Sequence, residues 1–501
     1  MLSVLIFVPL VVAAGLSLWP GRLEAQQVKR GVGITTLGLL LWTALAAGRV
    51  DVLSPDGQLL ETLPWLSTLG LSYQLGLDGL SLPLVALNSL LTVLVVYSSP
   101  IPPTRPRLYY SLLLLIQAGV AGAFLAQNLL LFFLFYELEL IPLYLLIAIW
   151  GGERRSYAAT KFLIYTALSG LLLLVAFFGM AILGGGGSFS LMDLDTQHLP
   201  LVTQVILLVI LLVALGIKIP LVPFHTWLPD AHVEASTPVS MLLAGILLKL
   251  GTYGLLRFGL ALLPAAWQVL APGLAIWAVV SVLYGSLMAI LQQDMKRIVA
   301  YSSIGHMGYV LLGAAAATPL SLLGAICQMV SHGLISALLF HLVGLVYRKT
   351  GTRNLNELQG LLLPDGGLPL VGTLMILAVM ASSGIPGMVG FITEFLIFRG
   401  SFPGFPLATL ACMIGTGLTS VYFLLLVNRA FFGRLTARLA NLPSVSPWEY
   451  GPAGVLALLV VVLGIQPSWL SRWSEATTTA LSHAAATASI LSAHVSLPWH
   501  L

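Results

Sequence analysis

The sequence predicts an all-α, polytopic membrane protein of about fourteen transmembrane helices, built from two inverted five-helix repeats that each contain one broken helix. Three observations predict it. Of 501 residues, 58% are hydrophobic and 8% charged, whereas a soluble domain carries roughly 25% charged residues and needs them to cover its core. The apolar residues gather in runs of about 20, the length that crosses a bilayer. Two of those runs, one in each half, are interrupted by Gly and Pro, the pattern of inverted-repeat transporters.

Taken in order, the spans fall near residues 2–19, 31–48, 78–98, 108–126, 128–150, 160–183, 202–228 and 236–259, then 266–292, 297–316, 320–347, 368–399, 405–432 and 451–471. The first twenty residues lack the positive segment of a signal peptide, so they read as a retained helix. Residues 1–107 hold the first three helices, 108–262 the first repeat, 263–432 the second repeat, and 433–501 the fourteenth helix and a tail. Arg49 to Asp78 reads as a surface excursion, the run from Gly184 to Ser188 as a flexible turn, and the Ala/Ser/Thr-rich tail after Arg472 as a segment along the membrane surface.

Charge placement tests the count. With the N-terminus outside, the cytoplasmic connections carry fifteen positive residues, from Arg22, Lys29 and Arg30 to Arg434 and Arg438. The opposite side carries three, Arg49, Arg399 and Arg472, beside Asp51, Asp56, Glu61, Asp193 and Asp195. A miscounted helix would scramble that bias, so both termini are expected to be non-cytoplasmic.

The first break lies in "LGIKIPLVPFHTWLPDAH", where Pro220 and Pro223 follow Lys218; the second lies in "MASSGIPGMVGFITEF", where Gly384, Pro386 and Gly387 lead to Glu394. Proline removes a backbone donor and clashes with the preceding turn. Backbone opened in mid-membrane is tolerated only beside protein or a water-filled cavity. Five helices separate the seventh from the twelfth, and an odd repeat length makes the two topologies opposite.

Six ionisable residues lie at comparable depth. At 1.5 Å per residue, Glu137 is about 14 Å into its span, Lys249 about 20 Å, His306 about 14 Å and His332 about 18 Å, while Lys218 and Glu394 sit at the breaks. Each alone has a structural reading: a histidine as a hydrogen-bonded packing residue, a Glu–Lys pair as a clamp. A series of acid, base and imidazole at one depth marks an ion or proton route. Glu139 is about 200° round the helix from Glu137, so it cannot share that face and is expected to serve a neighbouring subunit or lipid-facing partner. His341 reads equally as an uptake step or a packing residue. His225, Asp230 and His232 crowd one turn without metal-ligand spacing, so a loop capping the broken helix is expected there, with a proton entrance as the alternative. Arg257 and Arg429 read as helix-end residues.

Cys327 and Cys412, the only cysteines, are too far apart in sequence for a CxxC cluster. That excludes an iron–sulfur or zinc site built from this chain's cysteines alone. No Gly-x-Gly-x-x-Gly stands between a strand and a helix.

These residues carry a resemblance. The segments "YELELIPLYLL", "WGGERRSYAATKFLIYTA", "KIPLVPFHTWLPDAH", "LLAGILLKLGTYGLLRF", "MKRIVAYSSIGHMGYVLLG", "QMVSHGLISALLF" and "GIPGMVGFITEF" resemble the antiporter-like, proton-pumping membrane subunits of respiratory complex I and photosynthetic NDH complexes. The likeness is to the subunit 4 type of cyanobacteria and chloroplasts, from about Leu108 to Phe432. It implies that Glu137 and Lys218 form an intramembrane pair, Lys249 is the central lysine, His306 and His332 connect, and Glu394 ends the second half-channel. It also implies a thylakoid location and a complex that passes electrons through other chains to plastoquinone. Iron–sulfur clusters and the quinone would then lie elsewhere, with no cofactor on this chain. Its partners would be other membrane-arm subunits, including a second antiporter-like one, lipids and protons, and no nucleic acid. Val233 stands where glycine is expected, Phe224 replaces the commoner leucine, and both ends of the chain match poorly. These departures suggest a divergent paralogue of the carbon dioxide uptake forms, with a peripheral uptake protein as a further partner.

The expected mechanism is charge-pair switching: when Glu137 is neutralised or drawn away, the cost of an unpaired buried ammonium expels a proton from Lys218. The proton then passes to Lys249 and through the histidines, whose unperturbed pKa near 6.5 suits a relay, to Glu394. A stand-alone cation/proton antiporter and a non-pumping structural arm remain alternatives.

Overall fold

The computed structural model describes residues 1–21, 23–102, 104–184, 186–439 and 442–493. Arg22, Gly185 and Leu501, used in the readings above, lie outside them. After α1 (Val4–Leu18) and α2 (Ala25–Ala47) the chain forms an antiparallel hairpin of β1 (Gln58–Leu66) and β2 (Leu71–Leu77). The expected surface excursion thus contains a small sheet, and β2 is largely buried. Then follow α3 (Leu82–Ser98), α4 (Pro106–Leu125), α5 (Leu129–Leu138), α6 (Leu140–Trp150), α7 (Arg155–Gly184), α8 (Leu201–Lys218) and α9 (Trp227–Glu234). One crossing is composite: α10 (Thr237–Leu242) and α11 (Leu248–Gly254) are each followed by a π-helical stretch, Leu243–Leu247 and Leu255–Leu260. The second half comprises α12 (Pro264–Ile290), α13 (Met295–Ala316), α14 (Pro319–Thr350), α15 (Pro369–Ser382), α16 (Val389–Ser401) and α17 (Pro406–Phe431). It ends with α18 (Pro447–Ile465), α19 (Ser468–Ser471) and α20 (Glu475–Ala493).

Eleven described helical stretches are long and apolar enough to cross a membrane, and the apolar helices α1, α3 and α15 are shorter. Each expected span coincides with a helix or helix pair, but not each reaches full crossing length. The tail is the other departure. Residues 475–493 form a helix that packs on α12 and α14, as Ala-rich sequence with high helix propensity allows.

Burial sorts the helices. The α10–α11 crossing and α14 are buried throughout their apolar windows, α13 and α4 nearly so, while α2, α7, α17 and α18 are mostly at the periphery. Interior helices that are hydrophobic all round are expected of such a core, and small residues let them approach. A Cβ at Gly308 would fall against the α12 backbone, and one at Gly324 against the α16 backbone. The polar residues of α11, α13 and α14 are thus placed in the driest part of the molecule.

Candidate functional site

The first acid–base cluster forms where two helices are interrupted. Pro142 cannot donate to the carbonyl one turn back, and the run of α5 into α6 breaks at Glu139. Likewise α8 ends at Lys218, immediately before Pro220 and Pro223. The carbonyls opened there are not orphaned: the indole N–H of Trp227 donates to Ile217 O at 2.9 Å, and that of Trp277 donates to Val222 O. The break is held open by tryptophans from both sides.

Lys218 Nζ donates to Glu139 Oε1, in an ion pair whose side chains are 3% and 0% exposed. The ammonium also lies over the Tyr136 ring, 4.6 Å from its centroid, a cation–π contact strengthened by desolvation. This corrects the expected pairing: Glu139, not Glu137, is the direct partner of Lys218. The two acids do face different ways, but the inward one was misassigned. Glu137 is half-buried, its carboxylate occupying the hollow left by the missing side chain of Gly170, and it stays within electrostatic reach of Lys218. Tyr136 and Ser169 share a hydrogen bond of 2.8 Å, and Ser169 Oγ donates to Ala214 O at 2.7 Å, fixing α5, α7 and α8 together. Glu139 Oε2 is buried and has no hydrogen-bond partner among the described residues.

The second cluster centres on Lys249, fully buried and flanked by the two π-helical stretches. Such bulges are common at functional sites. Its ammonium donates to Ala244 O at 2.6 Å and to His332 Nδ1 at 2.7 Å. The His332 and His306 rings are 5.6 Å apart, and His332 Nε2 is buried without a hydrogen-bond partner among the described residues. His306 places Nδ1 2.8 Å from Ser302 O and Nε2 3.2 Å from Ser382 O. Only the imidazolium donates to both; the Ser382 hydroxyl, 3.5 Å from Nε2, offers a donor to the neutral ring. His306 Nε2 lies 3.8 Å from Glu394 Oε1, and Glu394 Oε2 accepts from Thr416 Oγ1 at 2.9 Å. The second break is between α15 and α16, where Gly384 and Gly387 take positive φ values of 66° and 91° that favour glycine, with Pro386 between them. Gly384 lies against the Glu394 carboxylate.

Lys249, His332, His306 and Glu394 are therefore brought together as one line, and Lys218 belongs to a separate pair on the neighbouring broken helix. Gly251 packs α11 against Ile219, next to that break. The remaining candidates divide. His232 is buried, stacks on Phe340 at 4.4 Å, has both ring nitrogens unpartnered among the described residues, and feels the charges of Lys249 and Lys296. His225 packs edge-on to Tyr284. Asp230 accepts from Lys161 at 2.8 Å and faces Arg297 at 3.5 Å, tying α9 to α7 and α13. His341 Nε2 donates to Glu449 O of α18 at 2.8 Å, away from the line. Among the described residues no group of three or more His, Cys, Asp or Glu side chains is arranged to hold a metal ion.

Sequence reasoning missed Lys296, which is buried and donates to Ala235 O at 2.6 Å; its place beside a helix start made it read as a surface charge. It also missed Tyr309 and Thr416, 3.2 Å apart and leading away from Glu394. Arg257, read as a helix-end residue, pairs with buried Asp78.

A buried line of bases and acids crossing helices that are broken in mid-span defines a proton-translocating membrane subunit of the antiporter-like class. The chain belongs to the NADH:quinone oxidoreductase/Mrp antiporter transmembrane family, which matches residues 126–419. It is 40% identical to "NAD(P)H-quinone oxidoreductase chain 4 2" of Thermosynechococcus vestitus, over 96% of this chain and 91% of that one. It is 44% identical to "NAD(P)H-quinone oxidoreductase chain 4 2" of Microcystis aeruginosa, over 86% and 79%. Its fold is similar to a chain of respiratory complex I from Thermus thermophilus, with a TM-score of 0.86, 28% identity, and coverage of 97% and 100%. It is also similar to a chain of the Mrp complex from Dietzia, with a TM-score of 0.85, 21% identity, and coverage of 98% of each; that likeness concerns the fold alone.

Proposed function

We propose that this chain is the chain 4-type, proton-translocating membrane-arm subunit of an NAD(P)H–quinone oxidoreductase complex, delivering electrons to plastoquinone through other chains in a thylakoid membrane. The observation that carries the reading is the buried line Lys249–His332–His306–Glu394 beside the Lys218–Glu139 pair. Buried ionisable groups at this density are costly, and a structural arm has no use for unpartnered polar atoms at Glu139, His232 and His332, which water would serve. The two breaks are complementary: one presents a base, Lys218, to an acid on the second helix of its repeat; the other presents an acid, Glu394, to a base, His306, on the second helix of its own.

In this reading Lys218 exchanges its counter-ion. Glu139 holds the ammonium in the closed state, and Glu137, in its half-buried hollow at Gly170, draws it outward. An ammonium without either carboxylate sheds its proton, because burial disfavours the charged form, and the proton moves to Lys249 and along the histidines to Glu394. His232 and Lys296 form the entrance from the charged end of the bundle. Val233 and Phe224 mark a divergent copy, which we read as the carbon dioxide uptake form; co-purification of a peripheral uptake protein is its check.

The testing experiment is proton uptake by the reconstituted complex, normalised to assembled protein, for Glu139→Gln and Glu137→Gln. Gln keeps size but not charge. Glu139→Gln breaks the buried pair, at a cost of roughly 3–5 kcal/mol, so both yield and uptake should fall. Glu137→Gln should assemble normally and lose uptake. Wild-type uptake in Glu139→Gln would overturn the exchange. Co-purification with membrane chains alone, without hydrophilic redox subunits, would favour a stand-alone antiporter instead.

A further inference from the structure

A groove as long as the bilayer core is thick runs down one side of the molecule, between α2 and α18, with α3 as its floor. It opens as two cavities. One, of about 950 Å³, is lined by Gln26, Lys29, Arg30, Ile34, Tyr97 and Trp448, among others. The other, of about 610 Å³, continues along the same three helices past Ala44, Leu90 and Leu463 to Trp469 and Trp473. From Lys29 to Ala47 helix α2 rises about 27 Å, against a hydrocarbon core of about 30 Å.

The walls are apolar, but one end is cationic. Lys29 Nζ donates to Ser99 O at 2.6 Å and Tyr97 O at 3.3 Å, which uses two of its three donors and fixes the ammonium at the mouth. Arg30 beside it is exposed, and Arg348 lies within electrostatic reach of Lys29. The nearby carboxylates are already engaged: Glu449 by Lys349 at 2.9 Å and Arg348 at 3.9 Å, and Glu24 in the capping box of α2. Among the described residues the mouth therefore has positive charge without a matching anion, at the end that the charge asymmetry assigns to the cytoplasm. The other end has indoles, the side chains that favour the membrane–water interface.

We propose that this groove is a binding site for an anionic phospholipid, its phosphate held by Lys29 and Arg30 and its acyl chains lying along α3 between Ile34 and Val455. A neighbouring transmembrane helix is a poorer fit: a cylinder about 10 Å wide and about 27 Å long fills roughly 2,100 Å³, more than the cavities of about 950 and 610 Å³ hold together. A neutral quinone would leave the cations unanswered.

The test uses the intact complex in nanodiscs containing a photoreactive phosphatidylglycerol probe, with labelled peptides read by mass spectrometry. Wild type should label on α2, α3 and α18, and excess phosphatidylglycerol should compete where phosphatidylcholine does not. Lys29→Gln/Arg30→Gln should lower labelling at least tenfold. Gly451→Trp should do the same with the cations intact, because the Cβ position of Gly451 faces open space in the groove wall. Proton uptake per complex should be unchanged in both, since none of these residues belongs to the translocation line. Should the double variant fail to assemble, Gly451→Trp decides alone. Labelling that survives Gly451→Trp, equal competition by phosphatidylcholine, or a cross-link from position 451 to another subunit's helix would each overturn the proposal.

Discussion

Glu139 shows what one proline does to a helical wheel. Two residues apart, Glu137 and Glu139 must point different ways, and that much follows from 3.6 residues per turn. Which of them faces inward does not, because it depends on the rotation of the helix and on the interruption that Pro142 imposes at Glu139. The acid that the resemblance singled out is the half-buried one, and the buried partner of Lys218 is its neighbour. His341 is a similar lesson: its position on α14 was legible, its bond to the α18 backbone was not, since that contact spans two elements distant in sequence. By contrast Lys249, His306, His332 and Glu394 were all legible, because an ionisable residue inside an apolar run announces itself by its cost. Gly170 provides a test at this scale. A methyl group there would collide with the Glu137 carboxylate, so Gly170→Ala should displace it. The expected result is an assembled complex with proton uptake reduced several-fold and stability lowered by about 1–3 kcal/mol, the usual cost of overpacking. Proton uptake equal to wild type, with the thermal midpoint shifted, would show that Glu137 has no part in transfer.

At the scale of elements, both breaks could be read from Pro and Gly, but what holds them open could not. The tryptophans that satisfy the freed carbonyls come from α9 and α12, one of them on a helix some fifty residues away in sequence. Trp277→Phe should leave the partly buried Val222 O without its indole donor, at a cost of about 1 kcal/mol for the lost hydrogen bond. Thermal unfolding of the purified complex should show a lower midpoint, and an unchanged midpoint would mean that water replaces the indole. Pro220→Ala/Pro223→Ala restores the missing donors; the complex should assemble with a straighter α8 and weakened proton uptake. An unchanged kink in the variant's structure would show that the tryptophans, not the prolines, cause it. The segment from Arg49 to Asp78 reads as a surface excursion from its polar composition, and the β1–β2 hairpin within it was not legible because Pro64 interrupts the first strand and Pro demotes a strand in any pattern argument. The tail after Arg472 reads as a surface segment from its Ala/Ser/Thr composition, and its docking on α12 and α14 as α20 is a contact between elements distant in sequence.

For the whole molecule, composition fixed the class and hydropathy placed the spans, since a bilayer leaves the backbone no alternative to helices here. Depth of burial in the bundle was less accessible, because α18 and α14 have comparable apolar content yet lie at its edge and its centre. The charge asymmetry predicts that Arg154 faces the cytoplasm and Ser54 the opposite compartment. Single cysteines at these positions should react with membrane-impermeant maleimide from opposite sides of oriented vesicles; reaction from the same side would contradict the helix order. The most direct test of the central claim, that the buried line carries protons, is proton uptake by the reconstituted complex bearing Lys249→Met. Methionine fills the site without charge, and Lys249 is the ammonium that meets His332 at the head of the line. The account predicts an assembled complex whose proton uptake per complex falls at least tenfold; uptake and proton-to-electron ratio both equal to wild type would contradict it.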